Sequence, residues 1–145
     1  MHVREMRNSR RRGATVVEAA LVFLMLMMVV LGCFDFGFVL FQYQTLVHRS
    51  SSAARYAAIN PTDLTGAQNI VLYGQTTIPT GKSSGAAGIF GLVPSMVAIS
   101  RANTGQPEDR ITVTLSGYRF IFVAPFIAGS FVANPINVSI PVEGS

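Results

Sequence analysis

Glu18 is the residue whose type and position most demand a chemical explanation. It is the only charged residue between Ala14 and Phe34, a run of 21 residues that is otherwise almost wholly apolar. A carboxylate inside a segment of membrane length costs free energy, so its presence there calls for a partner or for a position near the interface. Glu18 also follows Gly13 by five residues, and Gly13 closes the basic run 10–12.

Two interpretations of Glu18 follow from this spacing. In the first, the charge is tolerated because Glu18 lies only about 6 Å of helix rise from Ala14, where burial costs much less than the roughly 3 kcal/mol of the bilayer centre. In the second, cleavage of the bond between Gly13 and Ala14 creates an ammonium at Ala14. The ammonium of a neighbouring subunit can then pair with Glu18 and set the axial register between packed helices. Spacing alone leaves both open.

The remaining chemically versatile residues do not form a catalytic set. The two histidines are His2 and His48, and the single cysteine, Cys33, lies within the apolar run. Because neither residue type occurs after His48, the C-terminal half cannot assemble a Ser/His/Asp or Cys/His arrangement. No metal-ligand spacing is present either. The sequence therefore predicts a protein that is not an enzyme and that uses no cofactor and no metal.

The positive charge is confined to the N-terminal segment. Residues 1–12 contain five arginines and one glutamate, so they account for the whole net charge of +4. Because the basic residues form a short tail and not a basic surface, the charge argues against nucleic-acid binding. A basic tail directly before an apolar run is instead the signal that holds an N-terminus in the cytoplasm.

The apolar run has the length of a membrane span. As a helix, residues 14–34 extend about 32 Å, which matches a hydrocarbon core of roughly 30 Å. The run is longer than the apolar region of a cleaved signal peptide, and no small-residue cleavage site follows it. The sequence predicts a retained single-pass anchor in membrane lipid, with Asp35 interfacial and structural.

An amphipathic segment continues the helix over residues 36–60. It ends at Asn60-Pro61, because proline disfavours helix at the residue before it. Its apolar stripe needs a partner, which we expect to be the C-terminal domain of the same chain. The stripe consists of Phe36, Val39, Tyr43, Leu46, Ser50, Ala53 and Ala57, and the other faces carry Gln42, Thr45, Arg49 and Ser52.

The C-terminal region, residues 61–145, predicts a small domain outside the membrane. Asp63 is suited to cap a helix over 64–73 that stops at Gly74. A loop follows over 75–95, whose apolar, glycine-rich part we expect on the membrane or on a neighbouring subunit. Alternating residues predict an antiparallel sheet of at least three strands packed on the outer helix, with an apolar patch over 118–131. The strands are predicted at 96–101, 110–116 and 136–143, the last at an edge because of Pro141.

The N-terminal half resembles a known family. The run Arg11-Arg12-Gly13-Ala14-Thr15-Val16-Val17-Glu18-Ala19-Ala20-Leu21 is similar to the start of TadE-like proteins, the minor pilins or pseudopilins of the tight-adherence (Flp) type IV pilus system. The similarity continues through 32–37, 40–43 and 53–58. Family members commonly have an aromatic residue where this chain has Ala19, and often a proline where it has Leu24. The latter departure predicts a straighter helix.

The resemblance implies a fold and a role. The fold is α+β and pilin-like, with a leader (1–13), a transmembrane helix (14–35), an amphipathic extension (36–60) and a periplasmic domain (61–145). It implies processing between Gly13 and Ala14 by a prepilin peptidase, and assembly through Glu18 with other pilins and with Tad inner-membrane proteins. The competing hypothesis is an uncleaved, membrane-anchored periplasmic component of a pilus or secretion apparatus.

Overall fold

A computed structural model describes residues 3–122 and 130–142 of the chain. For residues 3–12, 121 and 130 it describes the backbone alone. The described residues belong to two compact units, one that contains the chain up to Phe38 and one that begins at Val39.

The N-terminal helix α1 runs without interruption from Val3 to Ile59. The predicted end before Pro61 is confirmed, and the continuity through Leu24 agrees with the absence of a proline there. The helix begins earlier than predicted, because it continues through the basic segment. Its part from Gly13 onward is long and apolar enough, by length and composition, to cross a membrane.

The outer half of α1 buries a face that differs in part from the predicted stripe. Leu46, Ser50, Ala53 and Ala57 are buried as predicted, whereas the predicted stripe residues Phe36 and Tyr43 are exposed. Gln42, predicted on another face, is only 8% exposed. The buried line runs through positions 42, 46, 50, 53 and 57. A neighbouring residue on an α-helix points about 100° away, so Tyr43 lies off the covered face.

Helix α2 spans Leu64–Tyr73, with the ends that its capping residues predict. At the N-terminus, the carboxylate of Asp63 accepts a hydrogen bond of 2.9 Å from the backbone N–H of Gly66. At the C-terminus, Gly74 adopts a left-handed conformation with φ of 79° and its N–H donates to the carbonyl of Ile70. Glycine takes this conformation without the steric cost that a Cβ imposes.

The strands form two antiparallel sheets. In the larger sheet, β2 lies between β1 and β5, and the smaller sheet is the hairpin of β3 and β4. The predicted edge position of the last strand is thus confirmed among the described strands. Part of the predicted apolar patch over 118–131, and the last residue of the strand predicted over 136–143, lie outside the described residues. The strands are β1 (Val97–Ala102), β2 (Arg110–Leu115), β3 (Arg119–Ile121), β4 (Ser130–Val132) and β5 (Ile136–Pro141).

The core of the second unit joins the outer half of α1 to the larger sheet. The inward residues of β2 are fully buried, as the alternation predicts: Ile111, Val113 and Leu115. Leu46 of α1 belongs to the same cluster as Val113 and Leu115. The prediction that the chain's own domain covers the outer helix is therefore confirmed.

The predicted loop over 75–95 contributes to this core. It contains two short 3₁₀ turns, Ile89–Gly91 and Pro94–Met96, and Leu92 between them is only 1% exposed. Gly88 allows the loop to approach α2, because a Cβ at this position would collide with the backbone carbonyl of Leu72. This part of the loop packs against its own domain, whereas contact with a membrane or a neighbour remains a prediction.

Candidate assembly site

Gly13, Ala14 and Glu18 all lie on α1 and are exposed. Five residues of helix place Glu18 about 7.5 Å along the axis from Gly13. An ideal Cβ built on Gly13 would meet no heavy atom within 4 Å. No packing requirement in the described chain therefore explains why residue 13 is a glycine.

The surroundings of Glu18 are apolar and exposed on every face. The side chains of Val16, Val17, Leu21 and Val22 are each more than half exposed. Among the residues whose side chains the structure describes, none pairs with the Glu18 carboxylate. The segment thus presents a large apolar surface with one carboxylate in it, which is a surface suited to lipid or to other apolar helices.

The side chain of Asp35 is buried, while its expected position at a membrane interface stays a prediction. Its side chain is only 4% exposed, and it makes interactions within the chain. Together with Leu31, Phe34 and Phe38 it lines a small cavity of about 200 Å³.

Arg49 links the outer half of α1 to the end of α2. Its Nη1 atom donates to the carbonyl oxygens of Val71 and Leu72, at 3.4 and 3.2 Å. These carbonyls lie in the last turn of α2, where a cation is favoured by the helix dipole. Burial lowers the pKa of the Arg49 guanidinium from its usual value. The cation is therefore partly removed from water and is balanced here by carbonyl dipoles.

A groove of about 550 Å³ lies along this junction and is called here the Arg49 groove. Besides Arg49, its polar lining comes from Gln44, Thr45, His48 and Ser52 on α1. His48 is exposed, as the sequence predicts. Sequence reasoning missed the groove because the residues that close it, Ile70 and Gly74, lie at the end of a different helix, at least 18 positions further along the chain.

The loop between β1 and β2 is organised by a buried carboxylate. Asp109 is 2% exposed and accepts hydrogen bonds from Nε of Arg101 at 3.0 Å and from the N–H of Gly105 at 3.1 Å. The hydrogen bond from Arg101 holds the pKa of Asp109 below its usual range, and that from Gly105 acts in the same direction. These bonds fix the base of the loop, while residues 102–108 remain exposed, including the carboxylate of Glu108.

Asp63 has a second hydrogen-bond partner in addition to the α2 backbone. The hydroxyl of Tyr56 donates to its carboxylate at 2.7 Å. This bond, followed by that from Gly66, lowers the pKa of Asp63. The same bond raises the pKa of Tyr56. Asp63 thus ties the last turns of α1 to the start of α2 and serves the architecture of the domain.

Comparison with known proteins gives a family match for the N-terminal part of the chain. Residues 13–55 match the family model of TadE, described as TadE-like protein. The match begins at Gly13, contains Glu18 and extends into the outer half of α1. It confirms, for residues 13–55, the resemblance expected from the sequence. No curated protein sequence and no solved structure matches the chain.

Proposed function

We propose that this chain is a minor pilin, or pseudopilin, of a Tad (Flp-type) pilus that serves surface adhesion. In this proposal a prepilin peptidase cuts after Gly13, and the processed subunit joins the assembly through its apolar helix and Glu18. The role is structural rather than enzymatic and requires no cofactor. The observation that carries the proposal is an exposed carboxylate in an exposed apolar helix, five residues after a glycine that packing does not explain.

Glu18 gains its partner from processing. Cleavage creates an ammonium at Ala14, at the N-terminus of the remaining helix, where the helix dipole is already positive. A carboxylate from a neighbouring helix compensates both charges. In apolar surroundings either charge alone costs free energy. The pair is favourable mainly because it removes that cost. The pair therefore favours one axial offset between neighbouring helices over all others.

Gly13 suits a cleavage point for two reasons. Glycine inside a helix costs about 1 kcal/mol relative to alanine, so the helix is locally easier to open there. Glycine also leaves the peptide bond without a side chain to obstruct a peptidase. Both properties act on the backbone at the junction, which agrees with the lack of any side-chain contact that would select glycine.

The proposed location follows from the charge distribution. The basic segment before the helix favours a cytoplasmic N-terminus, which places the C-terminal domain in the periplasm and the helix in the inner membrane. The proposed partners are the prepilin peptidase, other pilins or pseudopilins, the Tad inner-membrane assembly proteins and membrane lipid.

One observation favours the alternative, an uncleaved anchored component of a pilus or secretion apparatus. The helix α1 continues unbroken through the bond between Gly13 and Ala14. A peptidase must open a helical peptide bond before it can cut it, so a continuous helix at this bond disfavours cleavage. The two proposals differ in whether residues 1–13 remain on the protein.

The role of Glu18 can be tested in a pilus-forming host from which the native gene has been deleted. We expect Glu18→Ala to be processed normally, but its recovery in sheared filaments to fall at least about tenfold, because the ammonium of a neighbour loses its partner. Val17→Ala is the matched control, since residue 17 is an exposed apolar neighbour. Incorporation of Glu18→Ala at the wild-type level, with cleavage intact, would refute the pairing.

A further inference from the structure

The Arg49 groove contains a cation that lacks a carboxylate. Nη1 of Arg49 is held by two carbonyl oxygens, and no carboxylate of the described residues of the second unit pairs with it. The guanidinium has five N–H donors in a planar fork and stays charged at any physiological pH. Because it is partly buried, the attraction between it and an incoming anion is screened less than on an open surface. The groove is therefore suited to a carboxylate from outside the subunit.

Among the described residues of the second unit, one carboxylate is available to fill such a groove. The described acidic residues of this unit are Asp63, Glu108 and Asp109. Asp63 is engaged as the cap of α2, and Asp109 is paired with Arg101. The side chain of Glu108 is exposed and makes no hydrogen bond or ion pair with the residues that the structure describes. Glu108 is thus free to meet a cation on another molecule.

The loop that carries Glu108 is held in one shape. Its base is fixed by Asp109, and the side-chain amide of Asn103 donates to the carbonyl of Glu108 at 3.4 Å. Further backbone hydrogen bonds, from Gln106 to Asn103 and from Asp109 to Gln106, close its turns. A loop that is already ordered loses little conformational entropy on docking.

The groove and the loop lie at different heights along α1. The groove uses residues 41–52 of the helix, whereas the loop follows the end of the sheet where Ile111 packs against Ala57. From His48 to Ala57 the helix rises about 14 Å. Two parallel copies displaced along the helix axis can therefore bring the loop of one copy to the groove of the next.

We propose that the loop 103–109 of one copy docks in the Arg49 groove of a second copy, with Glu108 placed against Arg49 and His48. The two surfaces differ, so the contact is heterologous and can repeat without closing on itself. This inference rests on the proposed function in one respect, namely that copies stand parallel in one membrane. It adds a contact between the outer domains, made with a different neighbouring copy from the one paired through Glu18, whose axial offset is only about 6 Å.

Reciprocal charge changes test the contact with the full chain in detergent. We expect His48→Glu and Glu108→Lys each to weaken self-association about fivefold, as for exposed ion pairs, and the double variant to recover to within about twofold of wild type. Gln44→Lys, which adds a cation to the groove, should strengthen association. Arg55→Glu is the matched control, because Arg55 is exposed on the same helix and does not line this groove.

Three outcomes would overturn the inference. The first is a double variant that associates no better than the single variants, and the second is an equal loss in Arg55→Glu. The third is unchanged self-association in His48→Glu together with lost capture of a different acidic pilin, which would assign the groove to that subunit. Cleavage after Gly13 is measured on the same samples. Normal cleavage with failed charge reversal refutes only the contact, whereas absent cleavage with successful reversal refutes only the processed-pilin proposal.

Discussion

At the scale of single residues, the surroundings of each carboxylate decide what it does. Asp63 and Asp109 each receive hydrogen bonds from a side chain and from a backbone N–H, and both are explained by the fold. Glu18 and Glu108 have no such partners among the described side chains. The fold supplies the partners of Asp63 and Asp109. We therefore expect the partners of Glu18 and Glu108 to lie on other subunits.

Removal of the Asp63 carboxylate should loosen the junction between α1 and α2. Asp63→Ala loses the cap of α2 and leaves the hydroxyl of Tyr56 without its acceptor, so we expect the thermal unfolding midpoint in detergent to fall by about 5 °C. Asp63→Asn is the control, because an asparagine side chain still accepts from the backbone of the first turn. Equal midpoints for wild type and Asp63→Ala would show that the cap does not stabilise the domain.

Acid should destabilise the domain through Asp109. The pKa of Asp109 is lowered in the folded protein. The stability that its carboxylate contributes is therefore fully present above the unfolded pKa of about 3.9, and it is lost as the pH falls through the folded pKa. We expect the unfolding midpoint to decrease below about pH 4. Asp109→Asn should have a lower midpoint at neutral pH and a flatter pH profile. A profile identical in slope to wild type would contradict the assignment to Asp109.

At the scale of elements, α1 is one helix with two kinds of surface. From Gly13 to Leu31 it is exposed on all sides, while beyond Val39 one face is covered by the chain's own domain. The buried face contains small residues, Ala53, Ala54 and Ala57, which let the helix approach its neighbours closely. Most of the stability of this half therefore comes from packing rather than from helix propensity.

Truncation of leucines on α1 should distinguish its buried face from its exposed face. Leu46 is 1% exposed and Leu40, on the same helix, is 43% exposed. We expect Leu46→Ala to reduce the free energy of unfolding by about 3 kcal/mol through lost burial and the cavity it leaves. Leu40→Ala should cost well under half as much, as measured by denaturant unfolding in detergent. Similar losses for both variants would contradict the packing described here.

Local signals predicted the elements well, and contacts distant in sequence account for the errors. Asp63 and Gly74 define the ends of α2 from within a few residues, so its bounds could be read directly. The face of α1 depends on the sheet that packs against it, which is why Gln42 and Tyr43 were assigned to the wrong faces. The burial of Leu92 had no local signal, because the contacts that bury it are made by other elements.

At the scale of the whole molecule, two surfaces are candidates for assembly contacts, namely the segment around Glu18 and the Arg49 groove. Gly13, Ala14 and Glu18 could be predicted as a site because they lie within six residues of one another and match a family pattern. The Arg49 groove could not, since it forms only when α2 is placed beside α1. Together they carry the two proposed assembly contacts, one on the apolar helix and one on the outer domain.

The central claim, that this is a processed pilin, is tested most directly by intact-mass spectrometry of the protein from membranes and from sheared filaments. The account predicts a species that begins at Ala14, with residues 1–13 removed, and predicts that only this species occurs in filaments. Gly13→Leu should block the cut and leave the full-length mass in the membrane. Retention of residues 1–13 in all of the wild-type protein would contradict the account and favour the uncleaved anchor.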